Sequence, residues 1–191
     1  IGFLLALTGS VNVTDIAHAV HSGLVNANSP VFLLSLALIF FGWLYASGLP
    51  PFHTIKSGIY SKAEPHGAAL LQSFTVISMI SIVLIMFRIY SSLPIFEVLI
   101  VFFSILAMIL GVSLALTQTD FRRMIGFLAV GELGFIGLGI GLGTNFSITA
   151  GLFQALNEIV ITALLFIGFG AIVDATNELD TRKLGGLLAY H

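Results

Sequence analysis

Long runs of hydrophobic residues dominate the sequence and are separated by short polar segments. The runs at 67–90, 95–117, 121–143 and 147–173 can each cross a bilayer, whose core of roughly 30 Å needs about 20 helical residues. Another run, 31–62, is interrupted near 46–52, and 1–13 form a partial span. Backbone groups in lipid must be satisfied within their own segment, so runs this long and uniform indicate helices. The pattern predicts an all-α, multi-pass transmembrane bundle.

The interruption in the 31–62 run combines helix-breaking residues with ionisable ones. Gly48, Pro50 and Pro51 end the apolar stretch, and His53 and Lys56 follow almost at once. Broken helices inside membranes occur where freed backbone groups are buried in protein or line a hydrated path. The break therefore predicts a functional position.

The composition excludes several classes of protein. Of 191 residues, 58% are hydrophobic and 8% are charged, whereas a soluble domain carries about 25% charged residues. The chain has no cysteine, and its net charge of −2 argues against binding nucleic acid. We expect no catalytic, cofactor-binding or metal site in this chain. It begins at Ile1, inside a hydrophobic segment, so we expect a fragment or a processed product.

Charge placement predicts an orientation. Alternating the spans places the loops at 62–66, 117–123 and 174–191 on one face, which carries most of the basic residues: Lys62, Arg122, Arg123, Arg182 and Lys183. The opposite face receives Arg88. The positive-inside rule makes the first face cytoplasmic, in a cell membrane or an energy-converting inner membrane. On this interpretation all three lysines, including Lys56, lie toward span ends or in loops.

Two carboxylates lie in the interiors of the last two spans. Glu132 is eleven residues before Gly143, and Glu158 is eleven residues after Ser147. Both are then roughly 17 Å from the same surface, near the middle of the bilayer. An ionisable group at that depth costs about 2.5–3.5 kcal/mol and normally marks an ion path or faces a bundle interior.

Polar neighbours accompany Glu158. Gln154 and Thr162 are its i−4 and i+4 positions, Asn157 is adjacent, and Gln72 adds a polar position to the 67–90 helix. One interpretation is a proton path through Glu158 and Glu132. The other is a protonated carboxyl that only joins helices by hydrogen bonds.

Three segments resemble a known family: "GLPPFHTIKSGIYSKAEPHGAALL" (48–71), "TQTDFRRMIGFLAVGELGFIGLGIGLG" (117–143) and "LFQALNEIVITALLFIGFGAI" (152–172). In this order they look like the antiporter-like membrane subunits shared by complex I, membrane-bound hydrogenases and multisubunit Na+/H+ antiporters. The resemblance implies the central portion of an inverted-repeat fold of about fourteen spans, with a broken helix in each repeat and charged residues along the midplane.

The usual lysines of that family are missing. The resemblance leads us to expect a lysine at the place of Ala46, and a histidine and a lysine at the places of Glu158 and Thr162. His53 is then the candidate at the break. Arg122 is expected either to tune a nearby carboxylate or to anchor its helix at the interface.

The resulting prediction is a subunit of a larger energy-converting complex, bound to other membrane subunits and to lipid. It would translocate protons, or exchange Na+ for protons, through Glu158 and Glu132. The enzyme to which it belongs would be an NADH:quinone or hydrogenase-type oxidoreductase, or the complex would be an antiporter. Two alternatives remain: a structural subunit that has lost transport, and an independent secondary transporter.

Overall fold

The structure is a computed structural model and describes residues 1–184, so the end of the predicted final loop, 185–191, lies outside the described residues. Within them the chain forms eight α-helices and one short 3-10 helix, Thr181–Lys183, and no strand longer than a single bridge. The α-helices are α1 Gly2–Thr8, α2 Val13–His21, α3 Pro30–Ser47, α4 His53–Lys62, α5 Pro65–Tyr90, α6 Pro94–Leu116, α7 Phe121–Gly141 and α8 Asn145–Thr176. The predicted all-helical, multi-pass fold is confirmed.

Five of these helices, α3 and α5 to α8, are long and apolar enough to cross a membrane. The pair α1 and α2 passes the same test together, with a bend of 56° between them. The helix starts follow local chemistry. Proline occupies the first turn of α3, α5 and α6, where its missing N–H costs nothing. Asp120 caps α7, and Thr144 forms a capping box with Ser147 at the start of α8.

The predicted break near 46–52 separates α3 from α4. The α3 helix ends at Ser47, and Gly48 adopts a left-handed conformation with φ of 69°, which a glycine accepts without strain. Pro50 and Pro51 follow, and α4 begins at His53. The two halves of the broken span therefore meet at a bent segment that leaves backbone carbonyls of α3 without helical partners.

The α7 helix occupies the centre of the bundle. In α7, 67% of the most apolar stretch is buried, whereas the corresponding share in the other long helices is 22–39%. The α7 helix packs on α4, α6 and α8. Glycines permit close approach of α7 to its neighbours: a Cβ added to Gly139 would lie 2.9 Å from the Gly151 Cα on α8. The α5 helix packs on α8 and α3 and completes the bundle.

The single tryptophan ties α3 to α5. Trp43 is 1% exposed, and its indole N–H donates to the Met79 carbonyl at 3.2 Å. It packs on Phe40 one turn before the helix break. The anchor holds the end of α3 against the middle of α5.

Polar loops meet at one end of the bundle. Arg122 Nη1 donates to the Ala63 carbonyl at 3.4 Å, and the Thr181 N–H donates to the Thr119 carbonyl at 3.0 Å. The loops at 62–66 and 117–123 and the start of the 174–191 loop thus lie side by side, as the alternation of spans predicts. At the other end His21 contacts the Arg88 carbonyl.

Candidate functional site

The Glu158 carboxyl is buried inside the bundle and held by two donors. Glu158 is 1% exposed and lies near the middle of α8. Thr162 Oγ1 donates to Glu158 Oε1 at 2.7 Å, and Gln72 Nε2 donates to the same oxygen at 2.8 Å. Both donors therefore bond the same carboxyl oxygen, Oε1.

Gln72 links Glu158 to the broken helix. Its Oε1 accepts from the Tyr60 hydroxyl at 2.6 Å, while its amide N–H donates to the carboxyl. Tyr60 and Gln72 are 0% and 1% exposed. One hydrogen-bonded chain therefore runs from α4 through α5 to α8. Gln72 and Thr162 are among the predicted site residues, whereas Tyr60 is not, because it follows the break and no local pattern shows which face of α4 turns inward.

Glu132 has a separate partner. Gln154 Nε2 donates to Glu132 Oε2 at 2.6 Å, joining α7 to α8. Gln154 is therefore paired with Glu132, although its i−4 spacing had suggested Glu158 as its neighbour. Both side chains are half-buried and line a cleft of about 410 Å3 beside Gly139 and Gly151. Glu132 is thus more accessible than Glu158.

The other predicted site residues lie outside these two networks. Asn157 is half-buried and is not among the donors to either carboxyl within residues 1–184. The His53 ring packs on Phe127, with 6.4 Å between centroids, and its buried Nδ1 has no partner in the described residues. Arg122 Nη1 donates to the Ala63 carbonyl, which links α7 to the α4–α5 connection.

Lys56 corrects the interpretation that all lysines lie at span ends or in loops. It is 6% exposed, and its Nζ donates to the Ser47 carbonyl at 3.2 Å. Lys56 lies on the face of α4 that also buries Ser57 and Tyr60. With Ala46, where the resemblance leads us to expect a lysine, it lines a cavity of about 160 Å3. The burial of Lys56 was not predicted, because helical periodicity before the break does not determine which face of α4 packs against the bundle.

The polar end of the bundle carries a different charge cluster. The Arg182 side chain forms two hydrogen bonds with Asp180, at 3.0 Å and 2.7 Å. These bonds and the Arg182 backbone N–H lower the pKa of Asp180 to about 2. Within residues 1–184 no group of three or more His, Asp or Glu side chains is arranged to hold a metal ion.

Comparison with known proteins places this arrangement in a family. The model for the transmembrane family "NADH:quinone oxidoreductase/Mrp antiporter" matches residues 1–191. An uncharacterized protein of Methanocaldococcus jannaschii is 32% identical over 191 residues, covering 98% of this chain and 38% of that protein. A Na(+)/H(+) antiporter subunit of Alkalihalophilus pseudofirmus is 27% identical, covering 100% of this chain and 38% of that protein. The chain thus spans little more than a third of these relatives.

Solved structures share the fold. The membrane-bound sulfane sulfur reductase, an archaeal respiratory membrane complex, contains a chain with a TM-score of 0.82 and 25% identity, covering 98% of this chain and 38% of that one. The Mrp complex of a Dietzia species gives a TM-score of 0.77 at 22% identity, covering 90% of this chain and 31% of that one. The family model matches the chain along its whole length, and the broken helix agrees with it: the chain belongs to the NADH:quinone oxidoreductase/Mrp antiporter family of transmembrane subunits.

Proposed function

We propose that this chain forms the central part of a subunit that translocates protons, alone or in exchange for Na+, within a multisubunit membrane complex. The observation that carries the proposal is the burial of Glu158 between two donors at the middle of a membrane-spanning helix. A group that only joined helices would not need to be ionisable, since Gln and Asn serve that role at lower cost.

The geometry suits a carboxyl that changes its protonation state. Burial disfavours the charged form, whereas the two donors on Oε1 favour it, so the charged and neutral forms can be close in free energy. A proton added at Oε2 would leave both donors in place. Glu158 can then change its charge without rebuilding its surroundings.

Glu132 is the second protonatable group of the proposed path. It is half-buried and lines the open cleft between α7 and α8, so it can exchange protons with water or with a neighbouring subunit more readily than Glu158. Its hydrogen bond from Gln154 fixes the carboxyl toward α8. One relative is a Na(+)/H(+) antiporter subunit, which supports ion transport as the proposed activity.

The test uses the intact complex in sealed vesicles. Glu158→Gln should abolish the transport-driven pH change inside the vesicles, which a pH-sensitive dye reports. The complex should still assemble. Glu64→Gln is the matched control, because Glu64 is exposed at the start of α5 and its side chain forms no capping hydrogen bond there. Transport by Glu158→Gln at the rate of the unmodified complex would favour the alternative of a purely structural role. Repeating the assay with and without Na+ separates proton transport from exchange.

A further inference from the structure

Lys56 is a buried amine that the proposed proton path does not yet use. Lysine side chains near membranes normally extend their charged ends toward water. Lys56 is instead 6% exposed, and its aliphatic stem lies against Gly48 at the helix break. A Cβ added to Gly48 would lie 2.8 Å from Lys56 Cδ, so the break leaves room for this side chain.

The surroundings of the Lys56 amine are compatible with reversible protonation. Nζ donates to the Ser47 carbonyl at 3.2 Å. That carbonyl belongs to the last turn of α3, where the helix dipole is negative and favours a cation. The Lys56 ammonium has three N–H donors, and within residues 1–184 the Ser47 carbonyl is its one hydrogen-bond acceptor. The adjoining cavity of about 160 Å3 exceeds the roughly 30 Å3 that one water occupies.

The Tyr60 ring and the Gln72 amide lie between this amine and Glu158. Lys56 Nζ lies 6.0 Å from the centroid of the Tyr60 ring, and the Tyr60 hydroxyl donates to Gln72, which donates to Glu158. The amine and the carboxyl form no direct ion pair within the described residues. Their charges therefore interact across Tyr60 and Gln72, in a medium that screens them less than water does.

Few other charges face this pair. Glu132 approaches Glu158 from α7 and carries the same sign. The remaining basic groups of α4, α5 and α7 are exposed or held at helix ends: Lys62, His66, Arg88, Arg122 and Arg123. The His53 imidazole starts α4 and packs on Phe127. Lys56 is thus the buried cation that can balance Glu158.

We propose that Lys56 and Glu158 form one buried acid–base unit, joined by Tyr60 and Gln72, in which the charge of Lys56 sets when Glu158 binds and releases its proton. The inference rests on the proposed function of Glu158. The unit is neutral both as ammonium with carboxylate and as amine with carboxylic acid. Moving one proton between the two groups therefore leaves the net charge inside the membrane unchanged. Lys56 thus acts through Glu158: its charge changes the protonation equilibrium of the Glu158 carboxyl.

The test measures the protonation of Glu158 by infrared spectroscopy of the intact complex, with Glu158→Gln identifying its carboxyl band. Lys56→Gln keeps an amide donor near the Ser47 carbonyl and removes the charge. The Glu158 carboxyl band should then persist to higher pH, because the cation that favours the ionised carboxylate is gone, and the pH profile of transport should move in the same direction. Lys62→Gln removes an exposed lysine from the same helix and should change neither.

Lys56→Arg provides the second arm. Arginine keeps the charge but does not lose its proton, so we expect a complex that assembles, retains an ionised Glu158 and transports at least tenfold more slowly. An unshifted carboxyl band in an assembled Lys56→Gln complex would overturn the inference. Normal transport by Lys56→Arg would also overturn it. If the Lys56→Gln complex does not assemble, the Lys56→Arg result alone tests the inference. Unimpaired transport by Glu158→Gln would instead contradict the proposed function itself.

Discussion

Gln72 Nε2 lies 2.8 Å from Glu158 Oε1, although 86 residues separate the two in sequence. The same Gln72 amide accepts from Tyr60, so a single side chain connects the broken helix to the buried carboxyl. Three helices therefore share one hydrogen-bonded chain through the interior of the bundle. The orientation of the Glu158 carboxyl depends on residues outside its own helix.

Replacing Gln72 by Leu should slow ion transport without preventing assembly. The substitution removes one of the two donors to Glu158, and a hydrogen bond to a charged group contributes about 1.5–3 kcal/mol. We expect transport in sealed vesicles to fall about tenfold or more, because each 1.4 kcal/mol corresponds to a factor of about ten. Gln118→Leu, at a glutamine in the α6–α7 loop, is the control and should transport normally. Equal rates in the two variants would contradict the role of Gln72.

Tyr60→Phe should destabilise the protein. The substitution leaves the Gln72 carbonyl oxygen buried without its donor, at a cost of about 1–3 kcal/mol. The loss is measurable as a lower denaturation midpoint in detergent. Tyr45→Phe removes a hydroxyl from a side chain that is 59% exposed, so its midpoint should stay unchanged. A Tyr60→Phe protein as stable as the unmodified one would mean that the hydroxyl is dispensable.

Gly139→Ala should separate α7 from α8 beside the Glu132–Gln154 pair. The new methyl would lie 2.9 Å from the Gly151 Cα, and overpacking of this kind costs about 1–3 kcal/mol. We expect reduced stability and weaker transport. Gly168→Ala adds the same methyl to α8 where nothing lies within 4 Å, and it should be neutral or slightly stabilising. The prediction fails if the two variants behave alike.

The Asp180–Arg182 contact should persist to low pH. Its bonds lower the pKa of Asp180 from 3.8 to about 2, so their contribution is complete above pH 3.8 and is lost as pH falls through about 2. Carbon NMR of the Asp180 carboxyl should show this low midpoint, and Arg182→Gln should return it toward 3.8. If the Asp180 midpoint is the same in the unmodified protein and in Arg182→Gln, the contact is absent in solution.

Helix length and mid-bilayer charge made much of this molecule predictable. The apolar runs are long enough to cross a bilayer, and a carboxylate inside such a run is costly, which identified Glu132 and Glu158. Thr162 followed because residues four apart share a helix face. Gln154 shared that face too, yet it bonds Glu132, because the packing of α7 on α8 decides which carboxyl it meets.

Lys56 and Tyr60 escaped prediction for a physical reason. Helical periodicity fixes the relative directions of side chains within one helix, but a break resets them for the next. The direction in which α4 turns after Pro51 depends on its packing against α7, which includes a contact between Gly126 and Ser57. That tertiary contact turns Lys56 inward, and no local pattern encodes it.

The Trp43 anchor gives this chain an internal optical reporter. Its indole is buried one turn before the break and bonded to the Met79 carbonyl, so its fluorescence should be blue-shifted and shielded from water-soluble quenchers. A movement of the α3 end away from α5 would lengthen that hydrogen bond and change the emission. In a complex whose other tryptophans are replaced, the intensity followed during turnover would therefore report whether this contact changes as ions are transported.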